Sequence, residues 1–495
     1  MNPCLGCGLS LFCSIVDMWT HCAACDRRFF IPIVDLLKLD PAGIGNYGCP
    51  LVVKGEDEVR DRKAVMTGTN PDSKDRPKVG LVVGGGPAPG VNGVISAATI
   101  TAIENGCDVV GILDGFKWLE QGDTQHIRSL TISDVSRIHL RGGSIIRTSR
   151  SNPTKSTEKL DNVVNALTSI GIKYLISIGG DDTAYTAYRV TEQAAGRLKT
   201  AHVPKTIDND LPLPDSTPTF GYTTARHLGV TVVKNLSEDA RTTLRWYLVV
   251  AMGRTAGHLA LGIGKAAGAT LTVVPEEFGD RRVTIKEICD IVEGAILKRL
   301  SMGREFGVAI LAEGLAASIR EDELAQYGTV EHDEHGHVRL SEISLGHVCK
   351  DAVRNSLSAR GIKVTIVNKD LGYELRCADP GPHDMEYTRD LGYGAIKFLL
   401  NGGSGALISI QGGSLAPIPF EDIIDPETKR TRVRRVDINS ESYEVAHMYM
   451  LRLKARDFED PRKLESLAAV SKMSGEEFKQ RFAYLWTGPK SGLHS

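Results

Sequence analysis

No apolar run in this chain approaches the ~20 residues needed to cross a bilayer, so nothing in it reads as a transmembrane segment. Charge of one sign is also lacking: 59 Lys and Arg against 61 Asp and Glu leave a formal net charge of −2 over 495 residues. A balance this even gives no electrostatic reason to expect nucleic acid or an anionic membrane as partner. Internal repeats and low-complexity tracts are absent, which removes the repeat architectures. The first residues have neither the basic start nor the clean apolar stretch of a signal peptide. After the first tenth of the chain cysteine is sparse. Cys107, Cys289, Cys349 and Cys377 stand singly, as reduced thiols of a cytosolic protein do.

What is present is ordinary globular composition, 42% hydrophobic and 24% charged, in a chain long enough for two or three domains with buried cores. The reading is a cytoplasmic, enzyme-like protein. The exception is the front. Cys4, Cys7, Cys13, Cys22, Cys25 and Cys49 crowd into residues 1–77, and Cys4-x2-Cys7 and Cys22-x2-Cys25 come close to a four-cysteine zinc spacing. Two blander readings stand beside zinc: a poorly ordered extension, or translated upstream sequence with the true start near Met66. The polar stretch Thr67–Pro77 reads as a linker.

From Lys78 onward, short apolar runs alternate with helical patterns. Lys78–Val83 is a strand, Val91–Asn105 a helix, Asp108–Leu113 a strand, Ser133–Leu140 and Leu160–Ile170 helices, and Ile172–Ile178 a strand. That order implies a mostly parallel sheet flanked by helices. It resumes with a helix over Thr224–Ala240, strands over Arg245–Ala251, Ala269–Val274 and Gly307–Ala312, and helices over Gly257–Ala267 and Lys286–Leu300. The fold class is therefore α/β with two Rossmann-like lobes. His332–Leu340 reads as a hairpin insertion, Thr388–Leu400 as a helix, Ala406–Gln411 as one strand, and the tail after Val436 as mostly helical.

Four pieces carry chemistry. Gly84–Gly90 follows a strand and opens a helix, where backbone N–H groups and the helix dipole suit an anion; a tight connection is its plain alternative. Its spacing is not G-x-G-x-x-G, which disfavours a nicotinamide-dependent oxidoreductase. Gly179-Gly-Asp-Asp182 ends an apolar run with two carboxylates suited to a hard cation such as Mg2+; a turn with two exposed aspartates is the alternative. Pro204–Asp210 crowds Lys205, Asp208 and Asp210 together, a set that a solvated surface loop also tolerates. Met252-Gly-Arg254 and Glu313 follow predicted strands, where an arginine pairs bidentately with phosphate and a carboxylate accepts from sugar hydroxyls. A metal carboxylate, a lysine and a base in one crevice are the parts phosphoryl transfer needs.

In this order the pieces resemble the phosphofructokinase family, from Lys78 to the end of the chain. The resemblance implies transfer of a phosphoryl group to the 1-hydroxyl of fructose 6-phosphate. It places the donor against Gly85 and Gly86, Mg2+ on Asp181, and the general base at Asp208 of Thr206-Ile207-Asp208. Asp210 would support the metal or Arg254, and Arg254 the moving phosphoryl. Met252, Gly253, Glu313 and Tyr373-Glu374-Leu375-Arg376 would hold the sugar phosphate. Arg245 would reach in from a neighbouring subunit, which implies a homo-oligomer, dimer or tetramer. Tyr373 and Pro87 stand where many ATP-using relatives have histidine and aspartate, and Val367, with Lys369 nearby, where a second cross-subunit arginine is expected. The resemblance divides the chain into a donor lobe, 78–221 plus about 377–435, and a sugar lobe, about 222–376 plus 436–488.

Two departures decide the donor. ATP-using members carry glycine after the metal aspartate and before Thr-Ile-Asp; this chain has Asp182 and Lys205. In the branch it resembles, the second aspartate takes the space and charge of the ATP α-phosphate and the lysine meets the leaving phosphate. A fixed carboxylate in a partly desolvated pocket disfavours a third phosphate by roughly 100-fold or more. The expected donor is pyrophosphate; the alternatives are ATP, or a non-catalytic sugar-phosphate-binding subunit.

Overall fold

The computed structural model describes residues 76–486 except 215–216, 328–343, 426 and 429, together with the backbone of three short strands near the front. The chain divides into two compact units, Met1–Lys74 and Asp75–Ser495. In the first, β1 (Ser10–Cys13), β2 (Met18–Cys22) and β3 (Arg27–Phe30) form an antiparallel sheet. The zinc reading and the linker fall almost wholly on residues outside those described, as does the hairpin at His332–Leu340.

Among its described residues the second unit contains two main sheets and one two-stranded ribbon. The largest sheet is built from β4 (Lys78–Val83), β5 (Asp108–Ile112), β6 (Ile127–Leu130), β7 (Ile172–Gly179), β8 (Lys199–Thr206), β9 (Phe220–Gly221), β14 (Ala406–Leu407) and β17 (Ile418–Pro419). Strands β5, β4, β7 and β8 run parallel, with β6 antiparallel at one edge and β9 beside the end of β8. The chain leaves β4 toward β5 and returns on the other side through β7. The crevice between the C-terminal ends of β4 and β7 is thus a topological switch point, where α/β sheets place ligands. Side chains on alternate faces fill two cores. Leu81, Ile176 and Ile178 pack against the helices Val91–Glu104 and Pro382–Leu400, while Val82 and Leu175 face the helix Thr157–Ser169.

The second sheet has the order β11 (Leu271–Val273), β12 (Gly307–Ala312), β10 (Trp246–Ala251), β13 (Ile366–Leu371), all parallel. Its cores take the helices Tyr222–Thr243 and His258–Ala267 on one face, and Ile285–Ser301 and Leu345–Ala359 on the other.

Several elements differ from the sequence reading. Ser133–Leu140 is only a short helix, Ile132–Val135, followed by a single turn at Ile138–Leu140. The helix read from Thr388 begins at Pro382. The single strand expected over Ala406–Gln411 is two: β14 (Ala406–Leu407) joins the large sheet beside β8, whereas β15 (Ile410–Gln411) turns back on β16 (Ser414–Leu415) before β17 (Ile418–Pro419) closes the edge. Strand β13 had not been anticipated. Asp181 and Asp182 are not a strand terminus: they are the first two residues of the helix Asp181–Ala194, where the dipole favours acidic side chains.

Candidate active site

Every predicted site loop but one follows the C-terminal end of a parallel strand. Gly84–Gly86 follow β4, Asp181 and Asp182 follow β7, Asp208–Asp210 follow β8, Met252–Arg254 follow β10, Glu313 follows β12 and Tyr373–Arg376 follow β13. The exception is Arg245. It precedes β10, about 23 Å along the chain from Met252 at a strand's rise per residue, and its side chain turns to Asp239 at 3.9 Å.

The glycine loop is shaped by close approach. Gly84 N–H donates to the carbonyl of Ile178 and Gly85 N–H to that of Ser149, both at 2.9 Å. A Cβ on Gly84 would lie 2.5 Å from the Thr183 hydroxyl, and one on Gly86 would lie 3.2 Å from the Arg376 guanidinium carbon. Gly85 takes φ +78°, in the left-handed region glycine enters without penalty. Lys205, only 5% exposed, donates from Nζ to the Gly86 carbonyl. The lysine is thus seated against the loop expected to hold donor phosphates.

Arg254 joins the two sheets. Its Nη1 lies 2.6 and 2.8 Å from the two oxygens of Asp181, and its Nη2 lies 2.7 Å from Asp182. Both aspartates are therefore held on one arginine and are mostly shielded from solvent, at 18% and 24% side-chain exposure. Burial opposes the guanidinium charge, yet the two carboxylates hold its pKa well above the ordinary arginine value.

Asp208 and Asp210 of the Thr206–Asp210 turn lie within electrostatic reach of the same arginine and of Asp181. Thr206 Oγ1 accepts from Asp208 N–H at 3.0 Å, and Asn209 sits at φ +59°. Oδ1 of Asp208 and of Asp210 are both buried and have no hydrogen-bond partner among the described residues. Burial raises the Asp208 pKa against the pull of Arg254, Arg376 and Lys205. Burial, then the charges of Asp208 and Asp181, raise that of Asp210. Burial and the Arg376 charge push Lys205 down to about 8, with Asp208 and Asp210 opposing. Each group feels the others, so Lys205, Asp208, Asp210, Arg254 and Asp181 form one electrostatic cluster.

On the second sheet, buried Glu313 accepts from Gly253 and Arg254 N–H at 3.0 and 3.1 Å and so shapes the Met252–Arg254 turn. Glu374 accepts from Gly372 N–H and pairs with Lys369 at 3.1 Å. Leu375 and Ile207 send their side chains into the core, which leaves only their backbone for a ligand. Tyr373 is 60% exposed, and the Arg376 guanidinium lies 5.0 Å over its ring.

Three supporting residues had not been singled out from sequence. Thr431 Oγ1 donates to the Asp181 carbonyl at 2.9 Å, and Arg434 grips Asn209. His202, fully buried, lies 2.9 Å from the Ser177 hydroxyl and 3.0 Å from the Gly179 carbonyl. Burial drops its pKa to about 3, so the ring is neutral. No sequence signal marks any of them, because their roles exist only through contacts distant in the chain.

Among the described residues no three His, Cys, Asp or Glu side chains gather as a ready-made metal cage. Mg2+ does not require one, since it is commonly held by one or two carboxylates with substrate phosphates and water. Asp181 and the orphaned Oδ1 of Asp210, which lie within electrostatic reach of each other, are donors such a cation would fit.

Comparison with known proteins gives the family. Residues 78–399 match the family described as Phosphofructokinase. The pyrophosphate–fructose 6-phosphate 1-phosphotransferase of Thermotoga maritima is 54% identical over 410 residues, covering 82% of this chain and 98% of the relative. That of Naegleria fowleri is 51% identical over 421 residues, covering 83% and 96%. The fold is similar to that of phosphofructokinase from Saccharomyces cerevisiae, with TM-score 0.56 and 21% identity over 83% of this chain; the match spans 49% of the yeast chain's length. The chain belongs to the phosphofructokinase family.

Proposed function

We propose that the protein transfers a phosphoryl group reversibly from pyrophosphate to the 1-hydroxyl of fructose 6-phosphate, giving fructose 1,6-bisphosphate and phosphate. The observation that carries this reading is the placement of Asp182 and Lys205. One is a carboxylate fixed on Arg254, the other a buried ammonium against the glycine loop. The names of the Thermotoga and Naegleria relatives support the same donor.

The lobe bearing the larger sheet holds the donor, with 78–221 and about 377–435; the other, about 222–376 and 436–488, holds the sugar phosphate. Pyrophosphate lies along Gly85 and Gly86 with its leaving half toward Lys205. Asp208 takes the proton of the 1-hydroxyl as the sugar oxygen attacks the nearer phosphorus, and the bond to the bridging oxygen breaks. Arg254 neutralises charge on the moving group, and Lys205 charge on the departing phosphate. Mg2+, held by Asp181 with Asp210 in support, would neutralise and orient the donor oxygens. Met252, Gly253, Glu313 and Tyr373–Arg376 bind the sugar phosphate. Arg376 touches the Gly86 side as well, so it stands between the two substrates.

Arg245 turns away from its own chain's site, which supports a homo-oligomer in which it completes a neighbour's site. Among the described residues no helix is long and apolar enough to cross a membrane, and the reading places the enzyme in the cytoplasm with its sugar-phosphate substrates. The test is phosphorus NMR of purified protein with both substrates and Mg2+. Equimolar fructose 1,6-bisphosphate and phosphate support the proposal; unconsumed pyrophosphate removes it.

A further inference from the structure

The two candidate carboxylates on the turn after β8 have no hydrogen bond of their own at Oδ1 to fix their aim. Their direction is therefore set by the backbone between them, which is Asn209 in the left-handed region at φ +59°. That conformation is uncommon outside glycine and persists where its surroundings over-determine it. Most of the contacts that hold it come from Arg434. Arg434 Nε donates to the Asn209 carbonyl at 3.1 Å, Nη2 donates to Asn209 Oδ1, and Nη1 donates to the Thr217 carbonyl at 2.9 Å. The Arg434 backbone N–H donates to the Asp210 carbonyl at 2.6 Å. Thr219 N–H supplies the remaining contact to Asn209 Oδ1, at 3.0 Å.

The flanking residues continue the pattern. Thr431 Oγ1 holds the Asp181 carbonyl at 2.9 Å. Val436 N–H donates at 3.0 Å to Glu276 Oε1, and the same oxygen accepts from Gly257 N–H at 2.9 Å, three residues beyond Arg254. A single segment, Thr431–Val436, thus contacts the Asp181 loop and the Asp208–Asp210 turn directly, and the Arg254 loop through Glu276.

We propose that Arg434 is a positioning residue for phosphoryl transfer: its guanidinium fixes Asn209 and so aims Asp208 and Asp210, within a strap that registers all three loops. The proposal rests on the assignment of Asp208 as base. A planar fork with several aligned donors does this work; a lysine offers one ammonium and cannot replace it.

The experiment compares Arg434→Ala, Arg434→Lys and Asp208→Ala in the full chain, with Arg435→Ala as control because the Arg435 side chain points outward to exposed Asp280, at 3.3 Å. Arg434→Ala and Arg434→Lys are expected to lower kcat by about 10- to 100-fold, as loss of an orienting partner does, with KM for both substrates within about threefold. Added guanidinium at millimolar concentration restores part of kcat in Arg434→Ala, a recovery that a purely structural role would not show. The control stays within about twofold of the parent. Should Arg434→Ala fail to fold, Arg434→Lys decides alone. A kcat within threefold of the parent in the folded variant, or a loss confined to KM, overturns the proposal. Failure of the base assignment is seen separately, as turnover retained in Asp208→Ala.

Discussion

Arg254 holds Asp181 through both carboxylate oxygens, at 2.6 and 2.8 Å from a single guanidinium nitrogen. Under the proposed metal role of Asp181, a Mg2+ ion would need the same oxygens, so metal and guanidinium would compete for one carboxylate. Replacing Arg254 by Ala is expected to tighten Mg2+ binding to the substrate-free protein severalfold, while lowering kcat by about 100- to 1,000-fold through loss of charge neutralisation on the moving group. Isothermal titration and steady-state kinetics check the two halves. Unchanged metal affinity would show that the pair and the ion do not share a site.

Lys205 is expected to give activity an alkaline limb. Its pKa is lowered to about 8, chiefly by burial and then by Arg376. The ammonium is present below that value and lost above it. Catalysis that relies on the cation therefore declines as pH rises through about 8. A profile of kcat/KM for pyrophosphate should show this alkaline limb, and Lys205→Met should lower activity and abolish the limb. A flat parent profile up to pH 9.5 would contradict the role.

Asp208 has no partner at Oδ1, and its replacement leaves no donor stranded there. Asp208→Ala is expected to lower kcat by about 100- to 10,000-fold while melting temperature and sugar affinity hold steady. Circular dichroism and sugar-binding titration separate this outcome from misfolding.

Asp384 ties a helix of one sheet to a helix of the other. It is 0% exposed on the helix Pro382–Leu400, whose apolar face packs on the larger sheet. Yet its oxygens accept from Gly221 N–H and Thr224 N–H, both at 2.9 Å, and from the Thr223 hydroxyl at 2.7 Å, at the start of the helix Tyr222–Thr243, which packs on the second sheet. Asp384→Ala strands these buried donors and is expected to cost about 2–4 kcal/mol, read by denaturant unfolding. A cost under about 0.5 kcal/mol would mean that water replaces the carboxylate without loss.

Much of this site is legible in the sequence, because strand ends in α/β proteins announce themselves. Ile172–Gly179 is a near-continuous apolar run closed by glycines, and Gly84–Gly86 sit in the same context one switch point away. Strand β13 escaped because Ile366-Val-Asn-Lys-Asp-Leu371 lies at a sheet edge, where only Leu371 is fully buried and no apolar run is needed. Arg434 escaped for another reason. It stands among Arg430, Arg432 and Arg435, and its contacts with Thr217 and Asn209, 217 and 225 positions away, distinguish it. The core positions Leu375 and Ile207 show the converse, a motif whose residues do not all point at the ligand.

The choice of donor rests on Asp182 and Lys205, so replacing both by glycine should move the preference from pyrophosphate toward ATP by about 100-fold. The most direct measurement, however, needs no variant: initial rates of the purified chain with saturating fructose 6-phosphate and Mg2+, pyrophosphate in one series and ATP in the other. The account predicts kcat/KM at least about 100-fold higher with pyrophosphate. Equal or faster turnover with ATP would contradict it.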